Sequence, residues 1–121
     1  MTALNWGNRC FEELEARERF LLRLVREDAL EEALALFHPS FEEVEATGMR
    51  ICADQALRRL RALGPVELTD LRVVQYAENV VRLSYLAIRS SGSSPLAVVP
   101  TCIWVREKGK WLRIFSQGFL T

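Results

Sequence analysis

The spacing of apolar residues switches at Gly64-Pro65 from a largely helical period to that of strands, and that switch restricts the fold more than any other feature. Before it, apolar side chains recur every three to four residues, the period of a helix face. After it they alternate or run on, as strands do. Helices first and strands afterwards is the order of an α+β domain rather than of alternating βαβ units.

Three helices are predicted before the switch. From Arg9 to Val25, the residues Phe11, Leu14, Phe20, Leu21, Leu24 and Val25 form an apolar stripe. Glu12, Glu13, Glu15, Arg17, Glu18, Arg19 and Arg23 fill the polar face. Asp28 with Glu31 has the spacing of a capping box for a second helix, whose apolar side is Leu30, Ala33, Leu34, Leu36 and Phe37. Pro39 ends it, because helical geometry is disfavoured at His38. Phe41 to Ala46 alternates in part before Thr47-Gly48 and reads as a short strand. Asp54 opens a third helix, buried through Ala56, Leu57, Leu60 and Leu63, with Arg58, Arg59 and Arg61 facing water. Gly64-Pro65 stops it.

Four strands are predicted beyond, over Val66 to Tyr76, Asn79 to Arg89, Leu96 to Arg106 and Lys110 to Gln117. Ser90 to Ser94 reads as a flexible loop. If Lys108-Gly109 is a two-residue turn, Glu107 faces Lys110 and the register of the last hairpin follows. One face then carries Val105, Ile103 and Thr101 opposite Leu112, Ile114 and Ser116, and this aliphatic face is predicted to pack under the helices. The other carries Arg106, Trp104 and Cys102 opposite Trp111, Arg113 and Phe115. Trp and Arg are enriched in interfaces, so Trp104, Arg106, Trp111, Arg113 and Phe115 are predicted to form an outward dimer interface. The plainer alternative is a sheet surface on which each Arg lies over a Trp.

Composition bounds the partners. The 121 residues suit one domain, 1–121. Sixteen basic and sixteen acidic residues cancel, which argues against nucleic acid and against electrostatic membrane docking, and is compatible with self-association. Cys10, Cys52 and Cys102 are odd in number and widely spaced, with no CxxC or CxxH pair. They predict buried thiols in a reducing, cytoplasmic setting, and no metal or cofactor. The N-terminus has no apolar signal core, and no window reaches the ~18 apolar residues of a membrane span.

The stretch Trp104-Val105-Arg106-Glu107-Lys108-Gly109-Lys110-Trp111, continued by Phe115-Ser116-Gln117-Gly118, resembles the end of an uncharacterised bacterial family with the nuclear-transport-factor-2-like fold. Leu36-Phe37-His38-Pro39-Ser40-Phe41-Glu42-Glu43-Val44 is similar to that family's helix-to-strand segment, and the resemblance runs from the first helix to Gly118. It implies a cone, a strongly curved antiparallel sheet wrapped round helices with a pocket at the wide end. Relatives on this fold include ketosteroid isomerases, polyketide cyclases, dehydratases and inert binding proteins, so fold does not fix function. Homodimers through the outer sheet face are common among them. Where the family has Arg-Ser-Ser before the first hairpin Trp, this chain has Pro100-Thr101-Cys102. Ser116 stands for its His, and Glu45 for its Gly. The resemblance therefore does not carry over an activity that needs that cation or imidazole.

Candidate pocket residues are Phe41, Glu43, Tyr85, Thr101 and Ser116. Strand parity puts Phe41, Glu43 and Glu45 on one side, and two carboxylates in an apolar cone could serve acid/base chemistry. By position Glu45 lies near the general base of ketosteroid isomerases, but Phe20 stands where those enzymes place an oxyanion-donating tyrosine. The alternative for Glu42, Glu43 and Glu45 is a charged, solvated edge strand. Tyr85 alternates with Val81, Leu83 and Ala87, and its hydroxyl needs a partner, for which Glu43 and Ser116 are candidates. His38 is expected to cap its helix. Cys102, expected on the outer face, is not expected to be a nucleophile. The catalytic residues, if any, are unassigned. The expected function is a small-molecule-binding or accessory domain for a small apolar or polar-apolar ligand. The alternatives are an isomerase, cyclase or dehydratase using Glu43 or Glu45 as base, and a homodimeric interaction module.

Overall fold

The computed structural model describes residues 2–89 and 96–120, with side chains over 11–89 and 96–118. The Cys10 side chain and the expected loop from Ser90 to Ser94 lie outside the described residues. The elements are α1 (Thr2–Arg26), α2 (Leu30–Leu34), β1 (Phe37–Val44), β2 (Arg50–Ile51), α3 (Ala53–Leu63), β3 (Glu67–Ala77), β4 (Val80–Arg89), β5 (Leu96–Glu107) and β6 (Lys110–Leu120). The six strands of the described residues join one curved, unclosed sheet in the order β2-β1-β6-β5-β4-β3. The helices pack in its concave face, and the fold is α+β.

Local chemistry explains most of the boundaries. Gly64 takes φ +83 after α3, a conformation that costs other residues more. Lys108 and Gly109 both have positive φ, 53 and 75, as a two-residue hairpin turn of the favoured twist requires. Residues 78 and 79 turn β3 into β4.

Three expectations are corrected. Asp28 does not cap a second helix. It sits at φ 63 just past α1, its N–H donating to Val25 O at 3.1 Å and the Ala29 N–H to Leu24 O at 2.8 Å. That bonding pattern closes a helix C-terminus. Helix α2 is correspondingly only five residues long. Leu36 and Phe37 leave it because the sheet takes them, with Arg113 N–H donating to Leu36 O at 2.8 Å and Phe37 beside Arg113. The sheet is also not wholly antiparallel. Helices α1 and α2 deliver the chain to the hairpin end of the sheet, so β1 leaves in the same direction as β6 and pairs with it in parallel. Finally, His38 stands in β1 rather than on a helix. Its Nδ1 accepts the Ser40 N–H at 2.9 Å, so Nε2 carries the ring proton toward Glu107, 3.0 Å away.

Candidate functional site

The last hairpin follows the expected register from Glu107 opposite Lys110 to Trp104 opposite Arg113. It then slips by one residue. Ile103 lies opposite Phe115, Cys102 opposite Ser116 and Thr101 opposite Gln117, so Ile114 is the extra residue of a β-bulge. The slip puts Arg113 and Ser116 on the same side of the sheet. That side is the inner one: Cys102, Trp104 and Trp111 are fully buried, and Arg113 and Ser116 are 2% exposed.

This inverts the expected faces. Trp104, Trp111 and Arg113 are interior residues, not an outward interface. Arg106 shares their side at its margin, its guanidinium 5.2 Å from the Trp111 ring centre. Phe115 is turned outward by the bulge, and Thr101, paired with Ser84 and Gln117, is outward as well. The aliphatic residues Ile103, Val105, Leu112 and Ile114 are only half-buried.

One residue explains the inversion. Glu18 projects from α1 into the sheet and is fully buried. Its Oε2 accepts from Tyr85 Oη at 2.5 Å and from Arg113 Nη2 at 3.0 Å. Its Oε1 accepts from Trp104 Nε1 at 3.1 Å and from Cys102 Sγ at 3.5 Å. Four donors from β4, β5 and β6 converge on a single carboxylate, which is what a buried charge needs to be tolerated. Burial, then the Glu18 charge, raises the Tyr85 pKa well above its ordinary value. The same two causes push the Cys102 thiol up to about 12, so it is an inert, protonated donor. Burial works against the Arg113 charge, but Glu18 outweighs it and holds the guanidinium protonated. Arg113 Nε and Trp111 Nε1 are buried with no hydrogen-bond partner among the described residues.

Beside this network, between the sheet and α1 and α3, lies a cavity of about 210 Å³. Leu22, Ala56, Leu60, Leu63, Ala87 and Val98 supply apolar wall, while Tyr85 and Arg113 form a floor backed by Glu18. Glu43, Glu45, Arg59 and Ser116 supply the remaining polar wall. Ser116 Oγ donates to Glu43 Oε1 at 2.6 Å. Arg59 Nη1 lies 2.9 Å from Glu45 Oε2 and 3.6 Å from Glu43 Oε2. The two carboxylates are therefore bridged by a guanidinium instead of opposing each other bare.

Of the predicted pocket residues, Glu43, Tyr85 and Ser116 reach this cavity. Phe41 is buried in the core, edge-on to Phe37 with ring centres 4.6 Å apart. Tyr85 finds its partner in Glu18 rather than in Glu43 or Ser116. Glu18, Arg59 and the inward role of Arg113 were missed. A signal for Glu18 exists: it falls between Leu14 and Leu21 at the i, i+4, i+7 spacing of the buried stripe. Among the described residues no group of His, Cys, Asp and Glu is arranged to hold a metal.

Neither a protein-family model nor a curated protein matches the chain. Solved structures do. An NTF-2-like protein of unknown function from Pseudomonas aeruginosa is similar at 16% identity and TM-score 0.75, over 89% of this chain and 98% of that one. An uncharacterised protein with a cystatin-like fold from Caulobacter vibrioides is similar at 17% identity and TM-score 0.72, over 89% and 87%. The association domain of CaMKII from C. elegans is similar at 14% identity and TM-score 0.77, over 93% and 96%. The chain has the NTF2-like fold, and these neighbours leave its function undetermined.

Proposed function

We propose that this NTF2-like chain, taken as one domain over 1–121, is a small-molecule-binding or accessory domain whose ligand occupies the cavity between α1, α3 and the sheet. The observation that carries this is the cavity of about 210 Å³ itself, apolar on most of its wall, with Glu43 and Ser116 locked together at 2.6 Å on the rest. Apolar walls with a few fixed polar groups are the general form of a ligand site. The enzymatic alternative, with Glu43 or Glu45 as base, is less favoured. Glu43 already accepts the Ser116 hydroxyl, and the Tyr85 hydroxyl is committed to Glu18. A reducing, cytoplasmic setting fits the free thiols of Cys52 and Cys102. No helix among the described residues is long and apolar enough to cross a membrane.

The test is a screen of small polar-apolar compounds by protein-observed NMR. Ligands are expected to shift the Ala87, Val98 and Leu60 signals, and Ala87→Trp, which fills the cavity, is expected to abolish the shifts. A library that moves none of these signals would count against the reading.

A second reading, homodimerisation, is supported by the convex face of the sheet. Val80 and Leu86 on β4, Ile103 and Val105 on β5, and Leu112 on β6 give that face partly covered apolar area, interrupted by Arg82 opposite Ile103 and Ser84 opposite Thr101. A surface of that kind marks an association site. One of the similar structures is named as an association domain. The residues expected at the interface change accordingly, from the Trp-Arg set to this aliphatic set with Phe115.

A further inference from the structure

The charges around the cavity point to a class of ligand, an inference that rests on the binding reading above. We infer that the site takes a small organic amine, protonated at neutral pH, on a short apolar body. Glu43, Glu45, Arg59 and Arg113 are the charged wall residues, and Glu18 stands behind Arg113. Three carboxylates thus meet two guanidinium groups. At the floor the charges cancel: Arg113 and Glu18 are 3.0 Å apart, with side chains 3% and 0% exposed. The imbalance lies where Glu43 and Glu45 share Arg59. There the carboxylates are the fixed partners, 17% and 23% exposed, and Arg59 is the free one at 52%.

An exposed guanidinium on a long side chain is held weakly. An entering ammonium can displace it and take both carboxylates. A ligand carboxylate has no such place, because it would add negative charge to the cavity. Arg113 could meet it only by giving up Glu18. The floor adds no second head-group partner: Arg113 is held by Glu18, and its Nε is enclosed by protein. Leu22, Leu60, Ala87 and Val98 offer wall for the apolar body instead. The volume, about 210 Å³, equals roughly seven water volumes, so a chain of about eight non-hydrogen atoms is the right size.

Isothermal titration of the whole protein with aminohexanol, hexanediol and hydroxyhexanoate isolates the head group, since the three share one body and differ in charge. Aminohexanol is expected to bind about tenfold or more tightly than hexanediol, with hydroxyhexanoate weakest. Glu43→Gln and Glu45→Gln, checked for fold by circular dichroism, are each expected to weaken aminohexanol severalfold and leave hexanediol unchanged. Hexanediol matching aminohexanol, or a preference for hydroxyhexanoate, overturns the amine assignment but keeps the cavity as a binding site. No heat from any probe, with unmoved Ala87 and Val98 signals, overturns both.

Discussion

The concave and convex faces of the sheet keep apolar area from water by different means. The concave face buries two tryptophans completely, and with them a charge pair and two further donors. The convex face carries Val, Ile and Leu interspersed with Arg82, Ser84 and Thr101, and these stay partly exposed. A sorting of faces by polarity alone would reverse the two. What decides is area together with satisfaction. Each Trp buries roughly 150–250 Å², and α1 brings a carboxylate that pairs Tyr85, Cys102, Trp104 and the Arg113 charge, leaving Trp111 Nε1 and Arg113 Nε as the cost of that burial. An aliphatic face needs no such partner and can wait for one from outside.

The largest expected effect tests the concave side. Glu18→Ala leaves Arg113 as a buried, unpaired charge and strips acceptors from Tyr85, Trp104 and Cys102, so a loss of about 3–5 kcal/mol is expected. Glu13→Ala, on the exposed side of the same helix, should stay within about 0.5 kcal/mol. Urea unfolding compares them, and similar midpoints would mean the face is not organised around Glu18.

Alkali should probe the same network without mutation. Above pH ~9 the unfolded chain ionises Cys102, whereas the folded chain holds its proton until about 12. Unfolding then releases a proton, so stability falls as pH rises through that window, by up to about 1.4 kcal/mol per pH unit. Below it both states hold the proton and the effect vanishes. The raised Tyr85 pKa adds a fall of the same sign above its ordinary value of 10.0. Cys102→Ala should flatten the slope between pH 9 and 10, read from urea midpoints at stepped pH. An unchanged slope would place the titrating group elsewhere.

At the cavity wall, Glu43→Ala should cost about 1–3 kcal/mol by orphaning the buried Ser116 hydroxyl. Glu42→Ala should cost no more than about 0.5 kcal/mol, since Glu42 is 43% exposed and 3.7 Å from Arg50. Equal losses would break the parity assigned to β1. The smallest effect on folding is expected on the convex side. Ile103→Asp should change the unfolding midpoint little, yet convert a dimer to a monomer in light scattering. A wild-type monomer at tens of micromolar (roughly what a specific interface survives) would remove the association reading.

The layout of helices and strands was legible because periodicity reports which residues share a face, and Gly64 and Lys108-Gly109 are local punctuation. The inner face of the last hairpin was not. A bulge at Ile114 leaves no mark in the pattern, since both registers put an apolar residue opposite Ile103. Glu18 was hidden for another reason. A lone carboxylate in a helix looks solvated until the strands that pair with it are in place, and those lie 67 to 95 residues away. Glu43 was accessible because β1 parity needs no long-range knowledge, whereas Ser116 was placed inward by a register and a choice of face that were both wrong and cancelled at the bulge.

The Glu18 cluster also bears on how the molecule comes apart. Its carboxylate belongs to α1, while its donors belong to β4, β5 and β6, so the helix cannot lift away without stranding Arg113 in the interior and the strands cannot shift without stranding Glu18. Partial opening at this point is therefore penalised as heavily as full opening. Amide hydrogens in the middle of α1 and in the centre of β5 and β6 should exchange with solvent at a common rate, as one cooperative unit, while β2 and the free edge of β3 breathe independently.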